Sequence, residues 1–332
     1  MSDEASFTVR RLKPSDAPGV VSLVKHVYGA TYVHPELYDA EQIIQRNARE
    51  EMVSAVAIDV KQRVVGHYAL LRPDLGDLAE SGEAMVLPEV RHHELMERMR
   101  VVLEKEATRL RLVGIFGHVV TNHVFSQRVV ERFGESPWAV LLGWSPQTFH
   151  NMAQSLPQRM SELLYFKYLG DVPVRRVNLP QRHRQMCELL YAQLGTAIVQ
   201  GNSAVVAAGP GELCRDERPD VQRGILRIRR IGDDTADAVA AALRDMQDRG
   251  IEAVYVHVPL AQSAAPQLCE KLESLGFFFS GIGPSFAEDG DFLLLQWLGA
   301  PIDLSHLQVD QPLARALTEY VGRERDRVKG RP

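Results

Sequence analysis

Twice in this chain an apolar, β-branched run gives way to a helical stripe, a glycine and a second apolar run. In the first half the order is residues 113–120, a helix ending near Arg132, Gly134, and then 138–142. In the second half it is residues 253–258, a helix over 265–275, Gly276, and then 291–297. Strand start and stopping glycine lie 21 residues apart in one copy (Val113, Gly134) and 23 in the other (Ala253, Gly276). Matched spacing of this kind reads as internal duplication, and alternation of strand with helix restricts the fold to the α/β class. A chain of 332 residues also exceeds one ordinary core and suits two. Prolines at 146, 157 and 173 interrupt the pattern and set the boundary, giving expected domains over 1–150 and 151–332.

The other elements follow from local signals. A short strand over 7–12 precedes Ser15 and Asp16, good N-cap residues for a helix carrying Val20, Val21, Leu23, Val24 and Val27. A second helix is expected near 40–49, and 53–60 with 63–71 read as a hairpin turning at Lys61 and Gln62. A short strand over 83–87 ends at Pro88 and leads to a long helix. There Leu95, Met99, Leu103, Ala107 and Leu110 share a stripe, with Glu97, Arg100, Glu104 and Lys105 mostly off it. Further on, Arg227, Arg229 and Arg230 alternate on the outward side of a strand over 224–231. Val239, Ala242, Leu243 and Met246 then stripe a helix that Gly250 ends.

Composition narrows the function classes. The formal net charge is −5 with acids and bases interspersed, which argues against a nucleic-acid binder. No apolar stretch approaches the roughly 20 residues of a membrane helix, and the start MSDEASFTVRR lacks the pattern of a secretory signal. Cys187, Cys214 and Cys269 lie far apart, with no CxxC pair, so a reducing cytoplasm is the expected setting. His92, His93, His118 and His123 fit no H-E-x-x-H spacing, and no metal is expected of them. There is no G-x-S-x-G elbow or P-loop, and Gly209-Pro210-Gly211 reads as a turn. A homo-oligomer is left open.

Three segments carry a family likeness: AESGEAMVLPEVRHHELMERM (79–99), VVTNHVFSQRVVERFG (119–134) and YGATYVHPELYD (28–39). With them residues 7–148 resemble the GNAT N-acyltransferases, whose members carry Val-x-Pro-x-x-Arg-Gly-x-Gly between a strand and a long helix. Val86, Pro88 and Arg91 match; His92 and Glu94 stand in the two glycine places. The second half resembles the family by layout and by ESLGFFFSGIGPSF (273–286). The resemblance implies two tandem GNAT-like domains, each a mixed, mostly antiparallel sheet flanked by helices. It also implies an acyl-CoA-dependent N-acyltransferase, using acetyl-CoA and acting on a small amine or amino-acid-like acceptor.

Site residues follow from that resemblance and from the chemistry. A loop entering a helix offers free N–H groups and a positive end to a pyrophosphate, and an arginine adds a charged fork. Arg91, His92, His93, Glu94 and Leu95 are therefore the candidate cofactor residues, although the Glu94 carboxylate repels an anion. Met85 or Val86 supplies the N–H for the thioester carbonyl. Asn122 and Ser126 stand beside the pantetheine arm. Glu83 or Glu80 is the candidate base, and strand alternation puts Glu83 on the face of Met85. The family's tyrosine acid is replaced here by Val130, leaving Ser126 and His123 as substitutes. Tyr28, Tyr32, His34 and Tyr38 occupy the acceptor region. In the second half Asp233 and Asp234 fall where a phosphate would sit; they suit a helix cap, and this domain reads as structural or as a wall for the substrate. The alternative functions are a catalytically inactive pair that binds a metabolite or a regulatory partner protein, and acyl transfer to a protein lysine or N-terminus.

Overall fold

The stripes of the first two long helices are buried as their periodicity requires. The computed structural model describes residues 7–73, 76–91, 93–147, 157–195, 198–201 and 207–330. It divides into two compact units. One holds the described residues up to His118 with Lys167–Gly170; the other holds Val119–Gln147, the described residues up to Phe166, and the chain from Asp171.

In the first unit β1 (Thr8–Arg11), β2 (Met52–Ile58), β3 (Val64–Leu71) and β4 (Leu78–Val86) lie side by side and antiparallel, and β5 (Gly114–Val120) joins β4 in parallel. The strand expected over 83–87 thus begins five residues earlier. Helix α1 (Ala17–Tyr28) buries Val20, Leu23, Val24 and Val27. Asp16 does not cap it: its carboxylate takes the Lys13 N–H at 2.7 Å and pairs with Arg10 at 2.6 Å instead. Asp39 does cap α2 (Ala40–Ala48), accepting from the N–H groups of Glu41 and Gln42. Helix α3 (Leu95–Arg109) buries Leu95, Met99, Leu103 and Ala107, but also Arg100, which was expected off the stripe. That guanidinium can be buried because it donates to Glu104 at 2.8 Å and to the Tyr68 hydroxyl at 3.3 Å.

The second unit contains α4 (Phe125–Arg132), β6 (Ser136–Ser145), β7 (Met160–Tyr168), β8 (Arg175–Val177), α5 (Arg184–Ala192), β9 (Ile198–Gln200) and β10 (Glu212–Arg218). It continues with β11 (Arg223–Arg230), α6 (Thr235–Asp248), β12 (Ala253–Pro259), α7 (Ala265–Ser274), β13 (Phe278–Ala287), β14 (Gly290–Leu298) and α8 (Pro312–Lys329). Its sheet runs β7-β6-β13-β14-β12-β11-β10, with β11 and β12 parallel and the other neighbours antiparallel; β8 and β9 form a separate parallel pair. The strand expected over 138–142 is longer, Ser136–Ser145, and pairs with β7. Strand β13 and helix α8 had no counterpart in the sequence reading.

Strands β6 and β13 meet at Ala139 and Gly281. A Cβ on Gly281 would lie 2.2 Å from the Trp138 carbonyl, and its φ of +149° also requires glycine. Gln296 reinforces this short contact: its Oε1 accepts from Leu142 N–H at 2.9 Å and its Nε2 donates to Val140 O at 3.1 Å. Mixed, mostly antiparallel sheets flanked by helices are the α/β arrangement the sequence implied. Among the described residues no helix is long and apolar enough to cross a membrane.

Candidate active site

The parallel ladder between β4 and β5 is short. It pairs Leu78, Ala79 and Glu80 with Gly114, Ile115 and Phe116, while β4 runs on to Val86. The parting coincides with a bulge. His67 faces Met85 and Ala69 faces Gly82, so Glu83 and Ala84 together oppose Tyr68, and Glu83 takes a φ of +54°. A left-handed glutamate costs roughly 1–2 kcal/mol, and a buried polar chain holds it there. His67 Nδ1–H donates to the Glu83 carbonyl at 3.0 Å, and His67 Nε2 accepts from Ser54 Oγ at 3.0 Å. Asn47 donates to Ser54 Oγ at 3.2 Å and accepts the Ser54 N–H at 2.9 Å. Burial pushes the His67 imidazole down to about 4, so it is neutral and its tautomer is fixed by these bonds.

The bulge also breaks the alternation that placed Glu83 on the face of Met85. Beyond it the strand is regular. Leu87 N–H donates to Val65 O at 2.9 Å, so Met85 N–H turns towards β3 and Val86 N–H turns to the side that β5 has left. Of the two N–H groups, only that of Val86 faces away from β3.

The Glu83 side chain is 0% exposed, and neither of its oxygens makes a hydrogen bond. Oε1 lies 3.7 Å from His34 Nδ1 and 3.9 Å from Arg46 Nη1. Burial pushes its carboxyl up to about 7; His34 and Arg46 pull it down, and Glu36 and Glu80 push it up. Burial would raise Glu36 as well, but His34 and Arg46, the latter at 2.8 Å, hold it down to about 2. His34 is raised by the same carboxylates against the effect of burial. Tyr28 and Tyr32 stack at 4.5 Å, and the Tyr38 hydroxyl accepts Tyr32 N–H at 3.0 Å. Glu80 pairs with His118 Nδ1 at 2.8 Å.

The predicted Glu80, Glu83, Tyr28, Tyr32, His34 and Tyr38 are thus gathered in one unit. Sequence reading missed Glu36, Arg46, His67 and His118 as members of this cluster. Glu36 sits within the quoted YGATYVHPELYD segment, two residues after His34, and its chemistry could have been noticed there.

Beyond Val86 the chain makes a single turn of 3₁₀ helix, Pro88–Val90, and reaches α3. Arg91 is exposed, and its Nε donates to Val86 O at 3.4 Å. His93 is exposed, with its ring 5.0 Å from Phe7, while Leu95 points into the core. His92 lies outside the described residues. Glu94 is exposed at a φ of +50°, the conformation glycine adopts at no steric cost, and no side chain caps α3.

Asn122, Ser126 and Val130 belong to the second unit. Asn122 and Val130 are buried there, and the Ser126 hydroxyl is buried without a hydrogen bond. The corresponding strand–helix–strand crossover of the second unit, β11–α6–β12, is closed at its mouth. Gly232 N–H donates to Thr235 Oγ1 at 2.7 Å, Asp233 N–H to Gly209 O at 3.0 Å, and Ile231 N–H to Gln262 Oε1 at 2.8 Å. Asp234 does not cap α6 as expected: its carboxylate accepts Gly211 N–H at 2.7 Å, because the 209–211 turn packs directly on the loop.

No protein-family model matches the chain, and no curated protein matches it. The solved structures it resembles are GNAT acetyltransferases. One is an acetyltransferase of the GNAT family from Staphylococcus aureus Mu50, 14% identical, covering 50% of this chain and 100% of that one at a TM-score of 0.39. A putative GNAT acetyltransferase from Desulfovibrio desulfuricans gives 16%, 50%, 100% and 0.39. The paia N-acetyltransferase from Thermoplasma acidophilum, in complex with coenzyme A, gives 13%, 49%, 99% and 0.35. At these scores the likeness carries no argument about activity, which has to come from the residues.

Proposed function

We propose that the first unit is an acyl-CoA-dependent N-acyltransferase, using acetyl-CoA, for a small-molecule amine. One observation carries the reading. Glu83, buried and without a hydrogen bond, is held by a bulge on the strand whose next N–H turned outwards beyond Met85, that of Val86, points into the gap left by β5. Arg91 at the mouth and the uncapped amino end of α3 fit a diphosphate, and Glu94 occupies a position of glycine geometry.

Acetyl-CoA supplies a thioester as acyl donor. Glu83 takes a proton from the acceptor ammonium and so frees the lone pair that attacks. Val86 N–H stabilises the oxygen on which charge develops. Tyr28 and Tyr32 wall the acceptor, and Arg91 pairs with phosphate. Val130 cannot protonate a leaving thiolate, so that proton comes from the new ammonium or from water.

Isothermal calorimetry with acetyl-CoA tests this directly. Micromolar binding that Arg91→Ala weakens roughly tenfold or more supports the reading, since a charged hydrogen bond contributes about 1.5–3 kcal/mol. Failure to bind any acyl-CoA rejects it. The second reading, a non-catalytic unit that binds a metabolite or partner, draws on the exposed Glu94 carboxylate, which repels an incoming anion.

A further inference from the structure

A buried carboxylate without a hydrogen bond calls for a cation. Arg46 makes only a long ion pair with Glu83, because its Nη1 donates to Glu36 at 2.8 Å and stays 3.9 Å away from Glu83. Three atoms of ligand type do converge there. His34 Nδ1 lies 3.6 Å from Glu36 Oε1 and 3.7 Å from Glu83 Oε1, and ligand atoms of the three residues all lie within 4.8 Å of one another. A tetrahedral ion with bonds of about 2.0–2.2 Å holds its ligands roughly 3.3–3.6 Å apart, so the pairs centred on His34 need to close only slightly. One imidazole and two carboxylates leave the fourth position to water, a set that suits Zn²⁺. Arg46 then serves as the outer partner that orients the Glu36 carboxylate.

The geometry points to a divalent transition-metal site, with Zn²⁺ its natural occupant, formed by His34, Glu36 and Glu83. This goes beyond the acyl-transfer reading. An ion there covers the oxygen that would take the acceptor's proton, so on that reading it inhibits rather than assists; the binding itself does not depend on the reading. His34 is 31% exposed, which leaves a way in. A second cluster, His183, Cys269 and Glu273 in the other unit, differs in that both nitrogens of its histidine are already engaged. His183 bonds Tyr320 and Glu273 through its two nitrogens, each at 2.8 Å, and Glu273 also takes Arg327 at 2.6 Å.

Co²⁺ titrated into the full chain and followed by visible absorption provides the test. One equivalent is expected to give the intense bands of a four-coordinate ion, without a thiolate charge-transfer band, and Zn²⁺ should bleach them. Glu83→Gln and His34→Ala should each weaken Co²⁺ binding at least about tenfold, the loss that even an outer partner can cause, with circular dichroism unchanged. Bands that survive both substitutions, or that disappear in Cys269→Ser, put the ion elsewhere and overturn the proposal. So does an excess of Co²⁺ that gives no bands. None of these readouts involves acetyl-CoA, so failure here is separate from failure of the acyl-transfer reading.

Discussion

Two of the parallel crossovers among the described residues, one in each unit, are built alike and finished differently. In each, a strand paired antiparallel to its predecessor passes through a helix into a parallel strand: β4–α3–β5 and β11–α6–β12. The first ladder ends after Glu80, and its loop carries an arginine and a left-handed glutamate. The second ladder holds five pairs, from Arg223 with Ala253 to Arg227 with His257, and its loop N–H groups are used by Thr235, Gln262 and the 209–211 turn. Backbone donors consumed inside the protein cannot bind a phosphate. The difference teaches that a crossover keeps backbone donors available to a ligand only where its hydrogen bonds are left unfinished.

The largest expected effect falls on the open crossover. Glu83→Gln should lower kcat roughly a hundredfold or more, the usual contribution of a general base, while calorimetric affinity for acetyl-CoA stays within about twofold. Melting temperature should not fall, because the amide removes a buried acid that burial already disfavours as an anion. An unchanged kcat removes Glu83 from the chemistry.

Next comes acid sensitivity, where the units should part company. His67 is neutral in the folded first unit with its pKa down at about 4, whereas an unfolded histidine protonates near 6.5. The unfolded state therefore binds the extra proton as pH falls from about 6.5 to 4, and His67 alone removes up to about 3 kcal/mol in that window; Glu83, folded at about 7, acts there with the opposite sign, so the loss is read in Glu83→Gln. Glu273 in the second unit is held below the ordinary carboxylate range by His183 and Arg327 against the effect of burial. Its contribution is present above the unfolded glutamate value and disappears only as pH falls through its lower folded value. In Glu83→Gln, hydrogen exchange resolved by peptide should show protection of β2–β4 falling at higher pH than protection of α7 and α8. The opposite order contradicts the comparison.

Gly232→Ala should damage the closed crossover. Its Cβ would lie 2.1 Å from Gly211 N and 2.4 Å from Gly209 O, both backbone atoms. Separation of the loops should cost about 1–3 kcal/mol, read as a lower urea midpoint, with no change in acetyl-CoA affinity. Arg91→Ala and Arg230→Ala make a matched pair of arginines from the two loops. The first should weaken acetyl-CoA binding roughly tenfold or more and the second not at all; equal losses erase the distinction between the crossovers.

The sequence made the alternation of elements legible because each stripe was long and its stops were glycines. Gly134, Gly250 and Gly276 all end helices at positive φ. It did not reveal β7, because the residues before it carried prolines that read as a linker. Nor did it separate Glu83 from Glu80. The deciding feature is a one-residue bulge set by His67, Ser54 and Asn47, and residues from one helix and three strands, α2, β2, β3 and β4, build that chain of hydrogen bonds. Tyr28, Tyr32, His34 and Tyr38 were singled out through a family likeness, yet Arg46 was not, since a lone arginine on a short amphipathic helix ordinarily faces solvent. Pattern reads periodicity well and long-range polar contacts poorly.

Glu94→Gly is the smallest change and bears on why the open crossover departs from the loop pattern its sequence resembles. Relief of the left-handed strain should stabilise the protein by up to about 1 kcal/mol, because glycine is also acceptable at a helix N-cap. Removal of a carboxylate from the amino end of α3 should also tighten acetyl-CoA by up to about fivefold, given the roughly 0.3–1 kcal/mol such a charge exerts there. Both changes have the same sign if the glutamate is a substituted glycine. A variant that melts higher yet binds acetyl-CoA more weakly separates the two effects. It would mean that the Glu94 side chain touches the ligand, for instance through a bound cation or the adenine amine, and that the loop was adapted rather than lost.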